Sequence, residues 1–324
     1  MSAIDHIKKA IAPELDTLHE VIMQQLRTAN PLMNRVVETY LRTKGKLIRP
    51  IVVILTAKML GTLNDRVMNA AAAVELLHNA SLIHDDVVDD SKVRRNQPTI
   101  NAVWDNHVAV LVGDFFVSSA MQQAIATADI RVIDALCHLG KLLSLGEIDQ
   151  IYNAHYHHLT EDAYFRIINY KTASLFVACA RMGCFAAGVD ETRLDTMSRF
   201  AELLGLCFQI RDDIFDYFPS DDVGKPTGND LREGKITLPL LHVLEDTTLP
   251  QHDAMLKLAY KDSLDTQEIA VLTEYTIRHG GIEYAYLRMQ QLRQQAMEIL
   301  ATFPDTPERK AFEDIFDYII ARRY

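Results

Sequence analysis

Two clusters of aspartates with the same spacing stand out among the residues of this chain that could do chemistry. One apolar stretch ends in Asp85, Asp86, Asp89 and Asp90, and another contains Asp212, Asp213 and Asp216. Both clusters contain the pattern D-D-x-x-D, whose first and last aspartates lie about 40° apart on a helix. Like charges at this spacing repel, and a partly buried carboxylate loses much of its hydration. The pattern therefore predicts a bound cation.

A hard divalent cation suits these carboxylates. Mg²⁺ accepts a few carboxylate oxygens and keeps its other positions for water or phosphate. One such motif alone could equally be a solvated acidic helix end. Two of them turned towards each other would hold several Mg²⁺ ions, which could stabilise a departing diphosphate. The paired motifs thus predict a metal-diphosphate site with the candidate ligands Asp85, Asp86, Asp89, Asp212, Asp213 and Asp216.

Basic residues that suit phosphate accompany both motifs. Lys46 and Arg49 lie beside Gly45 at a predicted helix start, and a pair of arginines follows the first motif. Residues 218–234, rich in Gly, Pro and Asp, follow the second motif, and we interpret them as a lid with the cations Lys225 and Lys235. The basic segments could instead be a solvated turn and a surface ion-pair network that contributes little to stability.

Lys171 and Thr172 are polar residues inside an apolar helical pattern. In such a helix they could snorkel to the surface or bond back to the preceding turn. The alternative is that both side chains point towards a reaction centre. The sequence leaves these two interpretations open.

The composition indicates the class of protein that carries these motifs. The 324 residues include only 13 Gly and 10 Pro, and alternating strand patterns are almost absent. We therefore predict an all-α protein, a single large helical bundle around a central cavity, with one domain over residues 1–324. The net charge of −11 argues against non-specific binding to nucleic acid.

The cysteines and the amino terminus indicate the compartment. The four cysteines show no C-x-x-C pair or zinc spacing, so we expect buried free thiols in a reducing environment. The first residues carry charges where a signal peptide needs an apolar core, and no run reaches about 18 apolar residues. We therefore expect a cytoplasmic protein without a membrane anchor.

Five segments of the chain resemble the trans-isoprenyl diphosphate synthases, specifically their long-chain polyprenyl branch. The segments are GKLIRP, ELLHNASLIHDDVVDDSKVRRNQPTINAVWDNHVAVLVGDFF, YKTASL, CFQIRDDIFDYF and VGKPTGNDLREGKITLPLL. The resemblance implies the isoprenoid synthase fold, a homodimer and Mg²⁺ as cofactor. It also implies the reaction, in which diphosphate leaves an allylic substrate, the double bond of isopentenyl diphosphate attacks the carbocation, and a proton is lost.

The resemblance also implies roles for individual residues of this chain. The isopentenyl diphosphate site would comprise Lys46, Arg49, His78 and Arg95. The allylic diphosphate would be bound by Arg94, Lys171, Lys225 and Lys235, and the catalytic residues near the allylic carbon would be Lys171, Thr172 and Gln209. The Mg²⁺ ligands would be Asp85, Asp89 and Asp212, supported by Asp86, Asp213 and Asp216. Asn96 stands where many relatives have Gly, which puts the shape of that turn in doubt.

Two small residues bear on the length of the product. Ala80 and Ser81 lie about 6 to 7.5 Å below Asp85 along a helix axis. Bulky aromatics near this point stop elongation early in the family, so two small residues predict a product of about thirty carbons or more. Ala80 and Ser81 could instead only allow close helix packing. A short-chain synthase, a terpene cyclase and a non-catalytic partner subunit are the competing hypotheses for the whole chain.

Overall fold

The protein is built almost entirely from helices. The computed structural model describes residues 2–42, 45–94, 96–156, 160–218, 228–261 and 263–322. The helices are α1 (Ala3–Ala10), α2 (Ala12–Gln25), α3 (Pro31–Leu41), α4 (Ile48–Leu60), α5 (Asp65–Val88), α6 (Ile100–Val103), α7 (Asn106–Ala126), α8 (Ile130–Tyr156), α9 (Glu161–Ile168), a π-helical turn (Asn169–Ala173), α10 (Ser174–Ala187), α11 (Glu191–Phe215), α12 (Asn229–Arg232), α13 (Leu238–Glu245), α14 (His252–Ala259), α15 (Thr266–Arg278), α16 (Gly281–Leu300) and α17 (Pro307–Ala321). Within these ranges the only strands are β1 (Val93–Arg94) and β2 (Gln97–Pro98), an antiparallel pair. The predicted all-α class is confirmed.

The chain divides into two compact units. The first unit comprises Met1–Gly140, Leu175–Ala201 and Leu300–Tyr318, and the second comprises Lys141–Ser174, Glu202–Ile299 and Ile319–Tyr324. The first acidic motif belongs to the first unit, and the second motif belongs to the second unit. The expectation of one domain over residues 1–324 stays a prediction.

In the first unit, α5 packs against α2, α4 and α7. Every side chain of α4 from Pro50 to Ala57 is buried, as expected for a helix that is apolar on all sides. The contact between α5 and α7 is close because α7 carries Gly113. A Cβ atom at Gly113 would lie 2.1 Å from Nε2 of His84 on α5. These two helices therefore fix the end of α5 that carries the first acidic motif.

Helix α7 bears on the expectation that the chain has no membrane anchor. By length and composition it is the one helix among the described residues that could cross a membrane. We expect no run of about 18 apolar residues in this chain, and Gly113, Asp114 and two glutamines do interrupt the apolar residues of this helix. One side of α7 is buried, including Phe116, and packs against α5, as expected of a core helix. Its other side exposes Val110, Leu111, Met121 and Ile125.

Three of the four cysteines are buried, and Cys137 is exposed, which corrects our expectation of four buried thiols. Burial raises the pKa of Cys179, and it raises the pKa of Cys184 and Cys207 to about 12.

Because the thiolate is the reactive form, we expect a thiol reagent at pH 8 to modify at most one cysteine per native chain and all four in denaturant. Absorbance of the released aromatic thiol measures this count. Rapid modification of two thiols in the native protein would contradict the burial described here.

Candidate functional site

The first acidic motif lies at the carboxyl end of α5. This helix ends at Val88, and Asp90 follows in the left-handed conformation with φ of 48°. The carboxyl end of a helix carries partial negative charge, which disfavours each carboxylate there by roughly 0.3–1 kcal/mol. A bound cation would therefore offset this unfavourable interaction at the motif.

Basic side chains of the following segment contact carboxylates of this cluster. Nε of Arg94 donates to Oδ1 of Asp86 at 2.8 Å, and Nζ of Lys92 lies 2.5 Å from Oδ1 of Asp90. The side chain of Asp86 is buried, whereas Asp85 is half-buried and Asp89 is exposed. Asp85 and Asp89 share one face of α5 and suit direct metal ligands, while Asp86 suits a supporting role. In this structure Arg94, which the resemblance assigned to the allylic diphosphate, forms an ion pair with Asp86.

The turn after the two arginines contains Asn96, which adopts φ of 60°. This left-handed conformation is easiest for Gly, and Asn is among the few other residues that tolerate it. Asn96 therefore adopts a conformation that a glycine at this position would adopt easily. Arg95, predicted for the isopentenyl diphosphate site, lies outside the described residues, as does Lys225, predicted for the allylic diphosphate.

The basic segment before α4 contains a strained residue. Leu47 adopts φ of 57°, which is rare for a bulky side chain and occurs mostly at functional sites. Lys46 is exposed, with Nζ 5.5 Å from the ring centroid of Tyr318, and the guanidinium of Arg49 lies 5.6 Å from the ring centroid of Phe176. Both cations thus lie at the amino end of α4, where partial positive charge also favours an anion.

His78, the remaining predicted isopentenyl diphosphate residue, lies on α5, two turns before the first motif, and is buried. Ala80 is fully buried, and Ser81 is half-buried with its hydroxyl donating to the carbonyl oxygen of His78 at 2.9 Å. His78, Ser81 and Asp85 recur on one face of α5 at helical spacing.

The first unit also contains a cavity of about 560 Å³ beside Asp86 and Arg94. Its size is in the range of small-molecule sites. On α5 it is lined by Glu75, Leu76, Asn79 and Asp86, and Trp104, the only tryptophan of the chain, also lines it. Ala80 and Ser81 are not among its lining residues.

The second acidic motif lies at the carboxyl end of α11, which ends at Phe215. Asp213 is buried and accepts two hydrogen bonds, from the hydroxyl of Tyr164 at 2.6 Å and from Nε2 of Gln209 at 2.8 Å. Oε1 of Gln209 in turn accepts from the hydroxyl of Thr172 at 2.6 Å. Thr172 and Gln209, which the resemblance assigned to the same catalytic region, are therefore in direct contact, and hydrogen bonds connect them to Asp213 of the motif.

Asp213, Asp216 and Asp230 interact electrostatically near the end of α11. Burial raises the pKa of Asp213 to about 7, although the hydrogen bonds from Tyr164 and Gln209 lower it. Burial also raises the pKa of Asp230, with further contributions from Asp213 and Asp216. Asp216 accepts hydrogen bonds from the backbone N–H of Asn229 at 2.9 Å and of Asp230 at 3.0 Å. Sequence reasoning missed Asp230, which stands among the residues interpreted as a lid.

Lys171 lies in the π-helical turn and makes two contacts with α8. Its Nζ lies 2.5 Å from Oε2 of Glu147 and donates to Oε1 of Gln150 at 2.9 Å. A π-helical turn contains an extra residue and therefore redirects the side chains that follow. Lys171 and Thr172 both contact side chains of other helices, and the choice between the two interpretations of these residues stays open. Lys235, also predicted for the allylic diphosphate, lies 2.5 Å from Oε2 of Glu233.

Arg322 is a further basic residue that the sequence did not single out. Its guanidinium donates to Oδ1 of Asp212 and to the carbonyl oxygen of Phe208, and it lies 4.1 Å from the ring centroid of Phe208. Arg211 holds the backbone of Arg322, because its Nε donates to the carbonyl oxygen of Arg322 at 2.9 Å. Asp212 therefore has a cationic partner from the end of the chain.

The donor set at each motif fits Mg²⁺. Among the described residues, no three side chains of His, Cys, Asp or Glu converge to form a metal site on their own. Each motif instead offers a few carboxylates at a helix end, Asp85 with Asp89 and Asp212 with Asp216. Mg²⁺ accepts such a partial set of oxygens, since it retains waters and binds substrate phosphates in its other positions.

The hydrogen bond from Tyr164 to the buried Asp213 is expected to be important for stability. Tyr164→Phe removes the donor, and we expect it to lower the free energy of unfolding by about 1–3 kcal/mol at pH 8. The pKa of Asp213 in the folded protein is about 7, above its ordinary value of 3.8, so the folded state retains a proton that the unfolded chain releases. The stability contributed by this group therefore falls as pH rises from about 4 to 7.

Urea unfolding at pH 8 and pH 5.5 measures this effect, and we expect the loss in Tyr164→Phe to be larger at pH 8, where Asp213 is charged. Tyr275→Phe is the matched control, because the hydroxyl of Tyr275 is buried without a hydrogen-bond partner among the described residues. Equal losses of stability in both variants would show that the bond to Asp213 has no special role.

Comparison with known proteins identifies the family. The family model for polyprenyl synthetase matches residues 30–276. An octaprenyl diphosphate synthase of Haemophilus influenzae is 31% identical over 100% of this chain and 98% of its own length. A polyprenyl synthase of Caulobacter crescentus, crystallised with calcium and isoprenyl diphosphate, is 29% identical with a TM-score of 0.93 and covers 99% of this chain and 98% of its own.

A geranylgeranyl pyrophosphate synthase of Bacteroides thetaiotaomicron is 36% identical with a TM-score of 0.86, over 99% of both chains. A polyprenyl synthase and a geranylgeranyl pyrophosphate synthase thus share the helical fold found here. The comparisons confirm the resemblance inferred from the five segments and the predicted isoprenoid synthase fold. This chain belongs to the polyprenyl synthetase family and is a prenyltransferase.

Proposed function

We propose that this enzyme condenses isopentenyl diphosphate head-to-tail with an allylic diphosphate, in a Mg²⁺-dependent reaction, to give an all-trans polyprenyl diphosphate of about thirty carbons or more. The observation that carries this proposal is that both D-D-x-x-D motifs are complete, and each lies at a negatively charged helix end. A non-catalytic subunit would have no reason to keep both motifs. A terpene cyclase would need neither the second motif nor the basic site around Lys46.

The residues of the chain would bind and orient the two substrates. When bound, Mg²⁺ supplies positive charge that stabilises the departing diphosphate. Lys46, Arg49, His78 and Arg95 would hold the diphosphate of the nucleophilic substrate. The allylic diphosphate would be bound by Arg94, Lys171, Lys225 and Lys235. The oxygens of Thr172 and Gln209 are suited to stabilise the positive charge that develops on the allylic carbon, because their hydrogen bond holds both side chains in place.

Two observations support a long product. The relative from Haemophilus influenzae is an octaprenyl diphosphate synthase, and both positions below Asp85 are small, Ala80 and Ser81. The second candidate is a short-chain synthase, which the geranylgeranyl pyrophosphate synthase of Bacteroides thetaiotaomicron favours through its 36% identity. The burial of Ala80 is also compatible with a role in helix packing alone.

A product assay tests the proposed function. Labelled isopentenyl diphosphate, Mg²⁺ and farnesyl diphosphate are incubated with the enzyme, and chromatography measures the chain length. A ladder that ends at about thirty carbons or more is the expected result. Termination at about fifteen or twenty carbons would contradict the long chain and keep the reaction class. No condensation with any allylic primer would favour a cyclase or an inactive subunit.

The family resemblance also supports a cytoplasmic homodimer. In the first unit α7 exposes Leu111 and Ile125, each at least 60% accessible, and exposed apolar surface can mark an interface. Light scattering is expected to give about twice the chain mass of 36.7 kDa. Replacing Leu111 and Ile125 by aspartate is expected to reduce this mass to that of one chain. A wild-type mass of one chain would contradict the homodimer.

A further inference from the structure

One glycine of the second unit lies where no other residue fits without a shift. Gly146 belongs to α8, and a Cβ atom built on it would lie 2.7 Å from Cγ of Lys171 and 2.9 Å from Cβ of Tyr170. It would also lie 3.0 Å from the backbone nitrogen of Lys171. Real Cβ atoms essentially never approach other atoms below 3.0 Å, so a side chain at this position would displace the π-helical turn.

The backbone conformation at this position does not require a glycine. Gly146 lies inside a long helix, with ten residues of α8 after it, and it is not among the glycines with positive φ. A glycine inside a helix is less favourable than alanine by about 1 kcal/mol. The close approach of the π-helical turn to α8 gives a physical reason for this cost.

The turn that lies against Gly146 carries two of the residues assigned to the allylic substrate. The side chain of Lys171 passes Gly146 and reaches Glu147 and Gln150 of the same helix, at 2.5 Å and 2.9 Å. Thr172, the next residue of the turn, donates to Gln209 at 2.6 Å. A shift of the turn away from α8 would therefore move Lys171 and Thr172 together.

We propose that Gly146 is a positioning residue of the prenyl transfer site, because its missing side chain allows the π-helical turn to lie against α8 and so fixes Lys171 and Thr172. The inference rests on the proposed function, in which both residues contact the allylic substrate. Gly146 itself acts only through the turn. Its role concerns the allylic substrate and not isopentenyl diphosphate, whose proposed site lies in the first unit.

A matched pair of variants tests this inference. Gly146→Ala adds the clashing methyl group, and Gly140→Ala makes the same change in the same helix, where a Cβ atom would meet nothing within 4 Å. Since a misplacement of about 1 Å can reduce a reaction rate about 10²-fold, we expect kcat of Gly146→Ala to fall by about that factor. We expect the KM for isopentenyl diphosphate to stay within about threefold, and Gly140→Ala to behave as wild type.

A double variant separates a positioning role from a general loss of packing. If Gly146 acts through the turn that carries Lys171 and Thr172, then Gly146→Ala combined with Lys171→Met should lose less than the product of the two single losses, because both changes disturb the same contact of Lys171. Thermal unfolding is measured for every variant. The inference is overturned if Gly146→Ala retains full kcat, if the two rate losses multiply in the double variant, or if Gly146→Ala unfolds while Gly140→Ala does not.

The controls keep this inference separate from the proposed function. Wild type and Gly140→Ala are measured in the same prenyl transfer assay, with the same allylic primer. If both are inactive with every primer, the proposed function fails. If both are active and Gly146→Ala is equally active, only the role of Gly146 fails.

Discussion

Asp85→Asn is expected to lower kcat by about 10³-fold, since it removes one charged oxygen ligand from the metal that stabilises the departing diphosphate. Asp85 shares a face of α5 with Asp89, at a helix end where partial negative charge already raises the need for a cation. An amide oxygen in place of the carboxylate binds Mg²⁺ more weakly. We therefore also expect a higher Mg²⁺ concentration for half-maximal activity, measured in steady-state assays with both substrates saturating.

Asp90→Asn is the control for this prediction. Asp90 lies in the same acidic cluster but outside the D-D-x-x-D pattern, and its side chain pairs with Lys92. It adopts φ of 48°, a conformation that Asn tolerates at least as well as Asp. We expect Asp90→Asn to keep kcat and the Mg²⁺ dependence within about twofold of wild type. Equal losses in the two variants would indicate a general effect of charge and not a ligand at Asp85.

Asp212→Asn extends the test to the second motif. Asp212 is bound by Arg322, so the loss of its charge also leaves a buried guanidinium without its carboxylate partner. We expect kcat to fall by about 10²- to 10³-fold. If the motifs serve the same diphosphate, the double variant Asp85→Asn, Asp212→Asn should lose less than the product of the two single losses. Two losses that multiply fully would show that the motifs act independently.

The sequence predicted those features that depend on local patterns. The near absence of strand patterns predicted the all-α class, and the end of an apolar run indicated that the first acidic motif lies at a helix end. The pairing of Thr172 with Gln209 came from the family resemblance, since nothing in the sequence joins two residues in different helices. The exposure of Cys137 was not predicted, because its apolar neighbours are compatible with either a buried or an exposed position on α8.

The features that were not predicted depend on contacts between distant residues. The bond from Tyr164 to Asp213 joins residues 49 positions apart, and that from Arg322 to Asp212 joins residues 110 positions apart. The π-helical turn has no local signature either, because an i to i+5 hydrogen bond is favoured only by the packing around it. Gly146 illustrates the same limit. From the sequence alone, Gly146 is only a residue of low helix propensity. The reason for a glycine at this position depends on the π-helical turn that packs against it.

Ser81→Phe is expected to shorten the product to about fifteen to twenty carbons. Ser81 lies one turn below Asp85 on the same face of α5 and is half-buried, so a phenyl ring there would extend from this face beneath the reacting end of the chain. Ala80 is a poorer position for this test. It is fully buried, and a phenyl ring there would cost about 1–3 kcal/mol through overpacking.

Chain length and rate are measured together, because a blocked path and a damaged site differ in their kinetics. We expect the first condensation with a short allylic primer to keep its rate within about threefold in Ser81→Phe, since the ring lies below the diphosphate site. Ser81→Ala removes the hydroxyl that donates to the carbonyl oxygen of His78 and adds no bulk, so it should leave the product length unchanged. If Ser81→Phe is folded and active and still makes the wild-type product, the growing chain does not pass this face of α5.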